Sequence, residues 1–235
     1  MNIVISIVVI HLQKGFILEN STQTNDLTGI LCQRLDALPP GWQGLSIGLD
    51  QITEGCHHLQ ITTIDADSLE TGHLKTHFGI ASFDFILCLH AASYITFSGG
   101  GSQALTEILK PGGMLIIADI AAPVHIKAAR YINSAARLCQ VWHYQPHTQA
   151  EWEGLLSLAG RDSGEITVET LSLNLWLSQW ARNCDAVTWQ RLRAMILQAP
   201  QPVREWLQIR DEPGIAPGVD IPFVMPYLLM TVRKP

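Results

Sequence analysis

Charge is scarce in this chain. Asp, Glu, Lys and Arg together make up 15% of its 235 residues, against about 25% in ordinary globular domains. Acid outnumbers base, with 21 Asp and Glu against 15 Lys and Arg. A run of phosphates therefore meets no basic surface to neutralise it, which disfavours a nucleic-acid partner. Long apolar runs are missing too. The best candidate, Ile3–Leu12, is interrupted by His11 and falls well short of the roughly twenty residues that cross a bilayer as a helix. It also lacks the basic start and small-residue cleavage site of a secretory signal. Its β-branched residues suit a buried strand instead. The five cysteines (Cys32, Cys56, Cys88, Cys139, Cys184) form no CxxC pair, which predicts reduced thiols and a cytoplasmic protein. No repeat, low-complexity tract or long charge run is present.

What remains is an ordinary apolar fraction, 47%, enough to offset chain entropy with a core. The length predicts a single domain. Short apolar strands are predicted at Phe16–Glu19, Gly44–Asp50, Leu59–Ile64, Phe83–His90 and Met114–Ile120. Helical spacing runs over Asp26–Leu38 and Ser102–Leu109, the latter stopped by Pro111-Gly112-Gly113. Strand–helix alternation of this kind predicts a parallel sheet with helices on both faces. Beyond residue 120 the pattern predicts helices at Val124–Leu138, Thr148–Leu158, Leu173–Arg182 and Ala186–Leu197. It also predicts two strands, Glu165–Leu171 and Val224–Val232, pairing at one sheet edge.

Two segments carry a family resemblance. Ser82-Phe83-Asp84-Phe85-Ile86-Leu87-Cys88-Leu89-His90-Ala91 is similar to a fourth-strand motif, and Leu105-Thr106-Glu107-Ile108-Leu109-Lys110-Pro111-Gly112-Gly113-Met114-Leu115-Ile116-Ile117-Ala118-Asp119 to the following helix, turn and fifth strand, of the class I S-adenosylmethionine (SAM) dependent methyltransferases. The ubiquinone/menaquinone methyltransferase-like group is the nearest in pattern. Trp152-x-x-Leu155-Leu156-x-x-Ala159-Gly160 and the terminal Arg233-Lys234-Pro235 resemble later parts of the same family, so the resemblance runs from about residue 16 to the end. It implies an α/β, Rossmann-like sheet of seven strands, mostly parallel with an antiparallel last strand. It further implies one domain over 1–235, with helical substrate or lid insertions at about 121–147 and 173–210.

The resemblance also implies a site. The cofactor is SAM, the substrate a small, largely apolar molecule. Glu19 ends the first strand, and the loop after it has Ser21, Gln23 and Asn25 where the family has glycines. Asp50 ends the second strand, where a carboxylate accepts the two ribose hydroxyls. Asp65 and Ala66 follow the third strand, at the adenine. His90, at the end of the fourth strand, is the candidate general base, with Tyr94 in the same loop. The altered loop motivates a second reading, a methyltransferase-like protein that binds SAM weakly or not at all and serves as a binding module or runs another reaction. A nucleotide-binding oxidoreductase would need the same glycine loop and lacks it. The pairs His73/His77 and His143/His147 have no further ligands beside them in the sequence, so no metal is expected. The apolar N-terminal segment and the tryptophan-bearing stretch 142–206 are where a homodimer contact or an apolar substrate is expected.

Overall fold

The computed structural model describes residues 27–48, 56–64, 74–90, 101–138, 146–159, 165–181, 184–209 and 220–235. In chain order they form α1 (Leu27–Asp36), β1 (Gln43–Ile47), β2 (Gln60–Ile64), α2 (Leu74–Phe78), β3 (Phe83–Leu89), α3 (Gly101–Ile108) and β4 (Leu109–Ile120). There follow α4 (Ile126–Leu138), α5 (Gln149–Ala159), β5 (Ile166–Trp176), α6 (Leu177–Trp180), α7 (Ala186–Leu197), α8 (Gln201–Trp206) and β6 (Pro222–Arg233). The strands make one sheet in the order β2-β1-β3-β4-β6-β5. All neighbours up to β4 are parallel, and β6 runs antiparallel to both β4 and β5. The mostly parallel sheet with an antiparallel last strand is thus present, as is the paired strand edge at the end of the chain. Six strands belong to the described residues, whereas seven were expected; the expected first strand, Phe16–Glu19, lies outside them.

The central strands β1, β3 and β4 are buried on both faces, which is why they read as continuous apolar runs. Phe85, Leu87 and Leu89 point to one side, against Leu27, Leu31 and Leu35 of α1 and residues of α4, α7 and α8. Leu45, Ile47, Ile86 and Cys88 point to the other, against Leu74 of α2, Leu105 and Ile108 of α3, and Trp152 of α5. Much of the low charge content resides here.

Two elements differ from the sequence expectation. Leu173–Arg182 is not a helix from its start: β5 continues to Trp176, and the helix is only Leu177–Trp180. Leu173, Leu177 and Trp180 do share helical spacing. However, Leu173 and Leu175 are buried while Ser172, Asn174 and Trp176 are exposed, a period of two that pairing with β6 down to Trp176↔Pro222 satisfies. The second difference is at Pro111-Gly112-Gly113, which lies inside a long β4 rather than ahead of it. Gly112 takes φ +75°, a left-handed conformation that glycine adopts without strain. Its N–H donates to Lys234 O (3.0 Å), and Lys234 N–H donates to Gly113 O (2.9 Å). The Lys234 ammonium then donates to Thr106 O (2.8 Å) and Leu109 O (2.6 Å), placing a cation at the carboxyl end of α3 where the helix dipole favours one.

The thiols also differ from expectation. Cys32, Cys56 and Cys88 are thiols outside any disulfide, but Cys184 is disulfide-bonded. Sequence spacing conceals this because a disulfide depends on approach in space, not on distance along the chain.

Candidate functional site

In an open doubly wound sheet, ligands bind beyond the carboxyl ends of the strands, where the strand order reverses direction. Here that reversal falls between β1 and β3. From β1 the chain steps outward to β2, and from β3 it steps the other way to β4. The residues just past these two strands therefore face the crevice. Past β1 stands Gly48, exposed, with φ +81°. Past β3 stands His90, also left-handed at φ +53°, a conformation that histidine visits more readily than most residues. Backbone bonds hold both turns: Gly48 N–H donates to Ile64 O (3.2 Å) and His90 N–H to Ala118 O (2.9 Å).

Behind His90 lies a small polar cluster set into an apolar core. His90 Nδ1 lies 3.7 Å from Asp119 Oδ1, and the Asp119 carboxylate is fully buried. Asp119 Oδ1 also accepts the Ile120 N–H (2.7 Å). The ring of Tyr227, on β6, meets the His90 ring edge to face at 5.8 Å between centroids. Burial, reinforced by the nearby Asp119 carboxylate, pushes the Tyr227 phenol far up. The same two causes, in the same order, push up the Cys88 thiol. Both groups therefore stay protonated at physiological pH and neither is a nucleophile. His90 is the part-exposed member of the cluster, its side chain 18% exposed beside the buried carboxylate.

Of the residues expected at the site, His90 is where the resemblance put it, at the end of β3. Glu19, Ser21, Gln23, Asp50, Asp65, Ala66 and Tyr94 lie outside the described residues. Asp119 and Tyr227 were not singled out from the sequence. Asp119 did carry a signal, as the one acidic residue in the apolar run Met114–Ile120. Tyr227 carried none, since only the pairing Ile120↔Tyr227 brings it to the site.

An opening on the described surface lies elsewhere. A groove of about 920 Å³ is lined by α6 and α7 with the turn between them, including Ala181, Trp189, Arg193 and Leu197, and by no residue of the sheet's carboxyl edge. Among the described residues no helix is long and apolar enough to cross a membrane.

Comparison with known proteins bears on this arrangement. No family model matches the chain. The uncharacterized protein YafE of Escherichia coli K12 is 24% identical over 132 residues, 53% of this chain and 63% of YafE; the chain thus spans under two thirds of that relative's length. Two solved structures superpose over 88% of the chain. BH2331 of Bacillus halodurans, to which methyltransferase activity has been ascribed, has a TM-score of 0.69 at 18% identity and is covered over 98% of its length. YcgJ of Bacillus subtilis has a TM-score of 0.67 at 17% identity and is covered over 97%.

The chain has the class I methyltransferase fold. At such identities the likeness concerns the fold alone, and in a methyltransferase fold activity must be argued from the site.

Proposed function

We propose that this chain is a SAM-dependent methyltransferase acting on a small, largely apolar molecule, as one domain over 1–235. The observation that carries the reading is the His90–Asp119 pair at the point where the methyltransferase fold opens to ligand. SAM, when bound, supplies an electrophilic methyl group. The edge past β1 and β3 fits such a group in two respects. Gly48 leaves its wall free of side chain, and His90 offers a base at the opposite wall. Asp50, Asp65, Ala66 and Glu19 are the proposed partners of the ribose and adenine, with Ser21 and Gln23 in the preceding loop and Tyr94 near the acceptor.

The protein's part in transfer is to position the acceptor and to take its proton. A neutral His90 imidazole accepts a proton from a hydroxyl or an acidic carbon, and the buried Asp119 carboxylate stabilises the imidazolium so formed. Asp119 is thus a positioning residue. An apolar acceptor side or lid is proposed in the 173–210 region. Exposed Val124 and Ile126 at the start of α4 support the same for 121–147, or a homodimer contact. No nucleic acid is proposed as a partner. A cytoplasmic location is proposed on the three thiols outside any disulfide, against the disulfide at Cys184.

The test is calorimetric titration with S-adenosylhomocysteine, followed by transfer of labelled methyl from SAM to apolar alcohols and carbon acids. The reading expects micromolar binding. It expects His90→Asn and Asp119→Asn to retain binding while losing at least ten-fold in transfer rate, with Asp119→Asn also moving the pH profile of transfer. Absence of heat at millimolar ligand overturns it.

A further inference from the structure

Two cysteines meet where α1 packs against the turn ahead of β2. Cys32 lies on α1, at the margin of the buried side formed by Leu27, Leu31 and Leu35, and is half-buried. Cys56 opens the turn that enters β2, its carbonyl accepting Leu59 N–H (3.0 Å), and it is 2% exposed. The two side chains are hydrogen-bonded to each other. Cys56 belongs to the core cluster on the α1 side of the sheet, and Cys32 packs against it. Both are thiols outside any disulfide.

An S–H group is a weak donor and sulfur a weak acceptor, so this bond contributes little by itself. The backbone around it sets the placement. Gly41 N–H donates to His58 O (2.8 Å) and Gln60 N–H to Trp42 O (2.9 Å), which pins the connection after α1 to the turn that holds Cys56. Leu35 and Leu38 from one side and Leu59 from the other fill the same cluster. The neighbours thus hold the two sulfurs in contact, and a disulfide requires them only to close to about 2 Å. The two thiols also differ. Burial, with Cys32 and Asp36 nearby, pushes the Cys56 thiol up to about 11, which keeps it protonated. Cys32 is the more exposed of the two. A thiol that reacts with an outside oxidant must be accessible, so Cys32 is the attacking thiol and Cys56 the resolving one.

We propose that Cys32 and Cys56 form a redox-responsive dithiol, converted by a low-molecular-weight disulfide such as oxidised glutathione into a bridge that clamps α1 to the turn ahead of β2. The Cys32 thiolate attacks one sulfur of glutathione disulfide. The S–S bond of that oxidant breaks, one glutathione leaves as thiolate, and a mixed disulfide forms at Cys32. Cys56 then gives its proton to solvent and attacks the Cys32 sulfur, releasing the second glutathione as thiolate. The two cysteines lose two electrons, glutathione disulfide gains them, and the two protons end on the two glutathione thiols. The bridge closes a loop that contains the whole of β1. It therefore restrains the unfolded chain while joining elements already in contact. The proposal is independent of the methyltransferase reading and holds whether or not SAM binds.

In the test, the full chain is incubated folded with excess glutathione disulfide, quenched with acid, alkylated, digested and mapped by mass. The expected result is a peptide cross-linked between Cys32 and Cys56 as the main new disulfide, reversed by dithiothreitol. The bridged chain should melt about 5–10 °C above the reduced one. In Cys56→Ser the reaction should stop at glutathione on Cys32, with no rise in Tm. Glutathione left unresolved on Cys32 of the unsubstituted chain overturns the proposal. So does a lack of reaction at both cysteines, or a bridge that forms only after unfolding in urea. A bridged chain whose Tm is unchanged or lower overturns the clamp. The mapping uses no substitution, so it decides the question even where the serine variant does not fold.

Discussion

Gly44 and Phe85 offer a quantitative probe of how the sheet is joined. Alanine at 44 would put its Cβ 2.1 Å from Phe85 Cζ, and Phe85 is fully buried, so the ring has no open side to retreat to. Overpacking of this kind costs about 1–3 kcal/mol. It is offset by roughly 0.5–1 kcal/mol from the lower backbone entropy of alanine in the unfolded chain. With contact this close we expect a net loss of about 2 kcal/mol for Gly44→Ala, a fall in Tm of about 4–8 °C for a chain of this size. Phe85→Leu removes the very atoms in the way, Cζ, Cε1 and Cε2. Alone it costs about 1–2 kcal/mol in lost packing. In its background, Gly44→Ala should be neutral or stabilising by about 0.5 kcal/mol, giving a coupling of about 2 kcal/mol between the two sites. The assay is a double-mutant cycle by urea unfolding. Separated residues add within about 0.5 kcal/mol, and additivity here would refute the contact between β1 and β3.

Other consequences are simpler to measure. Burial pushes the Asp84 carboxyl up, but hydrogen bonds from Lys110 and Gln43, with the lysine charge, outweigh it and leave the group below the usual carboxylate range. A depressed folded pKa contributes stability that is full above about pH 4 and is lost as pH falls through the folded value. Asp84→Asn should therefore lower stability by about 1 kcal/mol at neutral pH and flatten the acid limb of the stability curve; an unchanged acid limb would show that the bridge contributes nothing. Burial, with Cys32 and Asp36 nearby, pushes the Cys56 thiol up to about 11, so iodoacetamide at pH 8 should label it far more slowly in the folded than in the unfolded chain. Equal labelling rates would contradict its burial. Thr148 N–H donates to Glu151 Oε2 (2.7 Å) and Thr148 Oγ1 accepts Glu151 N–H (3.3 Å), a reciprocal cap at the start of α5. Thr148→Ala should cost about 1 kcal/mol, and thermal unfolding indistinguishable from the parent chain would remove that cap from the account.

The parts of the fold that sequence reveals are those set by local chemistry. Leu27, Leu31 and Leu35 repeat at helical spacing and form the buried side of α1. Ile86–Leu89 and Leu115–Ala118 read as continuous apolar runs because both of their faces are covered. Legibility ends where tertiary pairing decides. Leu173 to Trp180 satisfies both a helical and an alternating pattern, and only the partner strand β6 selects the second up to Trp176. Tyr227 reaches His90 through antiparallel register across β4, for which the sequence holds no local mark. The direct junction of β1 with β3 is hidden most completely, because only the ladder Gly44↔Phe85 to Ile47↔Cys88 shows them joined. The Phe85 ring over Gly44 was visible in the sequence only as two residues forty-one positions apart.

The central claim is that ligand enters at the carboxyl ends of β1 and β3. Amide hydrogen exchange of the full chain, with and without saturating S-adenosylhomocysteine, tests it most directly. The account predicts new protection in the peptides that contain Gly48 and His90. Protection confined to the groove on α6 and α7, or none at any peptide, would contradict it.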